Sequence, residues 1–204
     1  MTDPTLPTAV LYAALDTIKR LPPEIRWFGD PVLRQVADPF TPDEIEAGEA
    51  RVLAGQLTDV LARTRRDTGL GLGLAAPQIG ISRRMFVAFD PQTSQVEAYT
   101  NPRIVAASQD KGIYAERCLS GVPLAASVVR PWQIELEYQD LDGALHRVSA
   151  DPMFSRLAQH EVDHLDGILF TDRADPATIS FQFDWDEFRK QNKLMLFNEQ
   201  PSER

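Results

Sequence analysis

Gln159-His160-Glu161-Val162-Asp163-His164 sets two histidines four residues apart, with a glutamate directly after the first. On a helix, positions i and i+4 share one face, a single turn apart. Two imidazoles placed so can hold one metal ion between them, and the glutamate then projects beside that ion. The flanks specify a helix. Asp151 is placed as N-cap, Pro152 suits the first helical position, and Gly167 is placed for a stop. Met153, Phe154, Leu157, Ala158 and Leu165 recur at helical spacing, so His160, Glu161 and His164 are expected on or beside an inward-facing stripe. Arg156, Gln159 and Asp163 form a polar stripe to one side. Ionisable groups aimed into a core need partners, and a metal would supply one.

With 204 residues, the chain is long enough for one domain with a sizeable core. Its 43% hydrophobic and 25% charged residues are ordinary for a globular protein, and no run approaches the roughly 18 apolar residues of a membrane span. The first 21 residues carry Asp3 and Asp16 and lack the basic-then-apolar order of a signal peptide. A single cysteine, Cys118, allows no internal disulfide, which fits a reducing compartment; a cytoplasmic location is expected. A formal charge of −9 with no basic block argues against nucleic-acid binding through phosphates.

The pattern predicts an amphipathic helix over 8–20, with Val10, Leu11, Ala14, Leu15 and Ile18 on its apolar face. Thr41-Pro42-Asp43-Glu44 reads as a capping box opening one long helix to about Arg65, with Leu53, Leu57, Val60 and Leu61 buried. Residues 84–90 read as a buried strand, with 96–100 as its partner, and Trp132 to Tyr138 as a half-buried strand. Asp142-Gly143 then turns the chain into a further strand carrying a solvated His146. Phe181, Phe183, Trp185, Phe188 and Leu194 to Phe197 fit either a strand and a helix or one helix. The run from Gly71 to Gly80 is poor in side chains, so a ligand or backbone can come close; its spacing is not that of a nucleotide loop. Taken locally, Gln78 within it is as compatible with an exposed loop amide as with a role.

Two histidines leave one ligand to find, since a catalytic site of this type usually has three protein ligands and an open position. A downstream carboxylate, the third histidine and Cys118 are the candidates. Cys118 lies in Tyr114-Ala115-Glu116-Arg117-Cys118-Leu119-Ser120, an unusual setting for an inert core cysteine.

Three stretches in this order resemble the peptide deformylase family. They are Gly71-Leu72-Gly73-Leu74-Ala75-Ala76-Pro77-Gln78, then Glu116-Arg117-Cys118-Leu119-Ser120, then Gln159 to Leu165. Gly29-Asp30-Pro31-Val32-Leu33-Arg34 and Asn101-Pro102 extend the likeness over roughly residues 25–172. The resemblance implies an α+β fold: one compact domain of small antiparallel or mixed sheets around a central metal-binding helix. Residues 1–24 would then be a helical extension and 173–204 a variable tail. It implies Cys118, His160 and His164 as ligands of one divalent ion, Fe(II) in that family, with Zn(II), Ni(II) or Co(II) as alternatives. It implies Glu161 as general acid/base, Gln78 and the Leu119 N–H as oxyanion donors, and Gly71, Gly73, Leu74 and Glu116 as substrate-binding residues.

The implied reaction is removal of formate from N-formylmethionyl peptides by a monomer. A transient ribosome contact is a further implied partner, though the tail here is not basic. Arg117 stands where the family usually has glycine, and Ala125 where it often has arginine; Arg130 is matched. If that glycine needs a positive φ, arginine would be strained there. These departures keep two other readings open: a metal-binding relative that has lost deformylation and binds another peptide or ligand, and a protease of internal peptide bonds.

Overall fold

The computed structural model describes residues 8–181. Its centre is the helix expected from the histidine stretch. That helix spans Pro152–Leu165, and the Asp151 carboxylate accepts from the N–H groups of Met153 and Phe154 at 2.8 and 2.9 Å. Ala158, Val162 and Leu165 are buried among Phe86, Tyr99 and Leu136. Each fully buried large side chain of this kind contributes on the order of 1.5–3 kcal/mol.

In chain order the helices are α1 (Thr8–Arg20), α2 (Pro42–Glu46), α3 (Glu49–Thr68), α4 (Pro152–Leu165) and α5 (Phe170–Arg173). The strands are β1 (Gly73–Ala75), β2 (Met85–Phe89), β3 (Val96–Ala107), β4 (Lys111–Arg117), β5 (Leu124–Pro131), β6 (Ile134–Gln139), β7 (Leu145–Ser149) and β8 (Ser180–Phe181). They form two antiparallel sheets, ordered β1-β2-β3-β6-β7 and β4-β5-β8. α4 packs against β1, β2 and β3 of the first sheet and β5 of the second. This is the α+β fold with a central helix. On the far side of the first sheet, Leu53, Leu57, Val60 and Leu61 of α3 meet Leu74, Met85 and Val87.

Several expectations need correction. The single helix from residue 42 is two, because Gly48 at φ +84 turns the chain between Glu46 and Glu49. Leu15, placed on the apolar face of α1, is 41% exposed. The glycine-rich run contains a strand, β1, held by pairing with β2. β4 and β5 escaped notice because Ala125, Ala126 and Ser127 give no apolar alternation; register against one another makes them strands. The aromatic and apolar tail from residue 182 onward lies outside the described residues.

The chain turns away after α4 at Gly167, φ +71, where an added Cβ would stand 2.7 Å from the Arg34 carbonyl oxygen. Both the conformation and the neighbouring backbone exclude a side chain. Gly167→Ala is expected to cost about 3 kcal/mol, measured as a lowered urea midpoint with an unchanged slope. An unshifted midpoint would remove this account of the helix stop.

Candidate metal centre

β4 delivers Cys118 at its end, in extended backbone (φ −135, ψ 140), just before a single turn over Leu119–Gly121. α4 delivers His160 and His164 one turn apart, with ring centroids 5.0 Å from each other and planes at 80°. Cys118 Sγ lies 3.2 Å from His164 Nε2, and one ligand atom from each of the three residues falls within 4.8 Å of the others. Ligands about 2.3 and 2.1 Å from a tetrahedral ion stand roughly 3.6 Å apart, so a first-row divalent ion fits with small adjustment. Of the three candidates left open for a third donor, Cys118 is the one that lies beside the two imidazoles. His146 instead sits on β7, paired to Asp140 at 2.7 Å and well exposed, as expected of a solvated strand histidine.

A line of buried charges stands behind the ligands. Glu116 Oε2 is 3.0 Å from His160 Nδ1, and Arg130 grips both Glu116 oxygens. Arg130 Nη1 also donates to Asp163 at 2.8 Å, and Asp163 receives two further bonds of 2.7 Å from Arg173. Burial opposes the Glu116 charge, yet the hydrogen bonds from Arg130 and His160 hold its carboxyl down at about 2. Burial likewise opposes a charge on His160, but Cys118 and Glu116 raise its pKa well above the usual value. His164 is pushed well below the usual value by burial and by the positive charge of His160 and Arg130. The pocket thus favours a cation at His160 and keeps His164 a neutral donor of electrons. With Nδ1 engaged by Glu116, the Nε2 of His160 is the nitrogen left to face the sulfur.

Glu161 is 2% exposed, and its Oε2 has no hydrogen-bond partner among the described residues. Burial pushes its carboxyl up to about 7, against a pull downward from His160. It lies against Gly73, where an added Cβ would be 2.5 Å from Oε1. Gln78 is 2% exposed, which corrects the loop-amide alternative. Its Oε1 accepts from the Ala75 N–H at 2.8 Å, and its Nε2 sits 3.3 Å from both Cys118 Sγ and Ser120 Oγ. The Leu119 N–H opens the turn after Cys118, where no carbonyl of that turn can accept from it.

A cleft of about 370 Å³ opens onto this centre, with Gly71, Gly73, Gln78, Leu119 and Glu161 on its walls. Two expected substrate contacts are placed differently. Leu74 is fully buried in the α3 core, on the side of β1 away from the cleft. The Glu116 carboxylate lines the cleft but is committed to Arg130 and His160, so it steadies the His160 ring. Arg117 takes an ordinary strand conformation directly across from Ala125, so the feared positive φ does not arise; the large and small departures face each other. Arg130, Asp163 and Arg173 had gone unassigned as supports. The signal available was Asp163, an acidic residue on the helix carrying the two histidines.

The sequence pattern of a family described as polypeptide deformylase matches residues 22–179. A curated peptide deformylase of Treponema pallidum (strain Nichols) is 39% identical over 152 residues, which are 74% of this chain and 88% of the relative. The crystal structure of peptide deformylase from Thermotoga maritima superposes with a TM-score of 0.64 at 34% identity, covering 74% of this chain and 97% of that one. A Met-Ala-Ser-bound class I type b peptide deformylase from Acinetobacter baumannii gives a TM-score of 0.63 at 29% identity, covering 75% and 97%.

Proposed function

Because the chain belongs to the peptide deformylase family, we propose that Glu161, Gln78 and Leu119 carry out the hydrolysis of N-formylmethionyl peptides at an ion held by Cys118, His160 and His164. The reaction consumes water and yields formate and a peptide with a free methionine amine. The observation that carries the assignment is the meeting of a sulfur and two imidazoles beside a buried carboxylate whose Oε2 has no partner among the described residues, in an open cleft.

A divalent ion, when bound, supplies Lewis acidity and lowers the pKa of a coordinated water toward ~7. The chain's own groups do the rest. Glu161, near pH 7 in its ionisation, accepts the proton of the attacking water at Oε2 and later delivers it to the leaving amine. Gln78 Nε2 and the Leu119 N–H flank the sulfur, where they can donate to the oxyanion that forms on the formyl oxygen. One such donor is typically worth ~3 kcal/mol. The bare backbone of Gly71 and Gly73 lets an extended peptide lie close, with β1 as an open sheet edge. We assign Fe(II) as the resident ion by family resemblance; zinc, nickel and cobalt suit the same donors. A nascent-chain substrate supports a cytoplasmic location and a transient contact with the ribosome, and we take the protein to act as a monomer.

Protein purified without oxygen and loaded with iron is expected to release formate from formyl-Met-Ala-Ser, and a chelator is expected to abolish that activity. No turnover in the loaded protein overturns the assignment. Gly73→Ala is a sharper test of geometry. The added methyl displaces the Glu161 carboxylate, so turnover should fall about tenfold or more while metal content stays level. Full activity would show that Glu161 tolerates displacement.

A further inference from the structure

We propose that Arg65 and Arg156 make the cleft selective for formylated peptides that carry a carboxylate close behind the formylmethionyl end. The inference rests on the deformylase reading above and names the substrate class it favours.

The chain as a whole is strongly acidic, at −9. The cleft is not. Three guanidiniums line it: Arg65 from α3, Arg117 from β4 and Arg156 from α4. Of the two carboxylates on its walls, Glu116 already answers Arg130 and His160, and Glu161 lies against Gly73. Among the described residues, neither Arg65 nor Arg156 has a carboxylate at ion-pairing distance. Arg65 lies 3.4 Å over the Phe89 ring and donates through Nη1 to the Gly71 carbonyl; Arg156 lies 5.4 Å from the Tyr114 ring. A guanidinium held by an aromatic face keeps N–H donors along its edge for a planar anion.

Both side chains are partly withdrawn from water and, among the described residues, form no ion pair; Glu116 acts on Arg156 only from beyond that distance. Burial alone pushes Arg65 down from its ordinary pKa, and it is the leading cause for Arg156 as well. Arg63, Arg83 and Arg173 move the other way, because Glu24, Glu44 and Asp163 hydrogen-bond to them. A half-buried charge that lacks an ion-pair partner is costly until a ligand brings one. The two arginines are also tied to the reacting centre. Arg156 precedes His160 by four residues on the same face of α4, which puts the side-chain bases about 5–6 Å apart. Arg65 holds the carbonyl of Gly71, two residues before the glycine that abuts Glu161. An extended peptide advances about 3.3 Å per residue, so a carboxylate one or two residues past the methionine reaches this zone. It can come from an acidic side chain or from the end of a short chain. A lysine in the same place meets like charge.

The test compares iron-loaded enzyme on formyl-Met-Glu-Ser and formyl-Met-Lys-Ser, each as C-terminal amide and as free acid. We expect kcat/KM to favour glutamate over lysine by about tenfold or more, mainly through KM, with the ratio shrinking as salt is raised. Arg156→Gln and Arg65→Gln should each draw that ratio toward one. The ratio does not depend on how much of a variant is active, so a purely structural role would leave it unmoved. An advantage seen only between free acids and amides assigns the site to a terminal carboxylate. A ratio near one with no advantage for the free acids, or a preference that survives both variants, overturns the proposal and leaves deformylation standing. Absence of turnover on every peptide overturns deformylation instead. Equilibrium binding of Met-Glu-Ser amide against Met-Lys-Ser amide then decides the charge preference, and equal dissociation constants sink it.

Discussion

Glu161→Ala is expected to lower turnover of a formyl peptide by ~10² to 10⁴ while the protein keeps its metal. Among the described residues the carboxylate makes no hydrogen bond to either imidazole and its Oε2 has no partner, so its loss leaves the cluster of Cys118, His160 and His164 intact. What goes is a carboxyl beside the centre that gains and loses its proton near neutral pH, since burial has brought it up to about 7. The sign of the effect on folding is opposite. A carboxylate whose folded pKa is raised from 4.5 to about 7 weakens the fold increasingly as pH rises between those values. The metal-free variant should therefore be no less stable than the metal-free parent, and its advantage should grow from pH 4.5 to 7. Metal analysis, formate release and urea melts at two pH values together check this. Unchanged turnover would take Glu161 out of the chemistry.

Arg130→Met is expected to have the largest effect on folding. Arg130 is 3% exposed and bridges Glu116 to Asp163, which are both 5% exposed. Removing one member of a buried ion cluster strands the others, at a typical cost of ~3–5 kcal/mol. Asp163 keeps Arg173, so the damage centres on Glu116 and, through it, on His160. Metal affinity should drop by about 10- to 100-fold, as for other groups that orient a ligand. A pH signature accompanies the parent protein. Glu116 has its pKa lowered from 4.5 to about 2, so its contribution is complete above 4.5 and is lost as pH falls through about 2. The parent should lose stability over that acid window and Arg130→Met should lose less. A variant with parental midpoint and metal affinity would show the cluster to be incidental.

The centre was legible because it is local. His160, Glu161 and His164 are fixed relative to one another by helix geometry, and Asp151, Pro152 and Gly167 mark where that helix starts and stops. The motif around Cys118 marked it as a third donor only through resemblance; its own spacing left a carboxylate or another histidine open. Gly73 stood out as bare backbone, but the reason for it, the Glu161 carboxylate pressed against its Cα, needed the fold. Glu116 shows the limit from the other side. It was expected to touch substrate, and a salt bridge to Arg130, fourteen residues away on the paired strand, turned it inward.

The sequence by itself determined the helix, the two histidines one turn apart, the glutamate beside them and the family, because each is written in spacings of a few residues. Only the tertiary structure decided that β4 and β5 are strands, that Gln78 and Cys118 meet, and that Arg65 and Arg156 face one cleft without an ion-paired carboxylate among the described residues. Those facts depend on pairings between residues far apart in the chain. Strand register and the burial of charge are properties of the partner as much as of the residue, and one stretch read alone does not contain its partner.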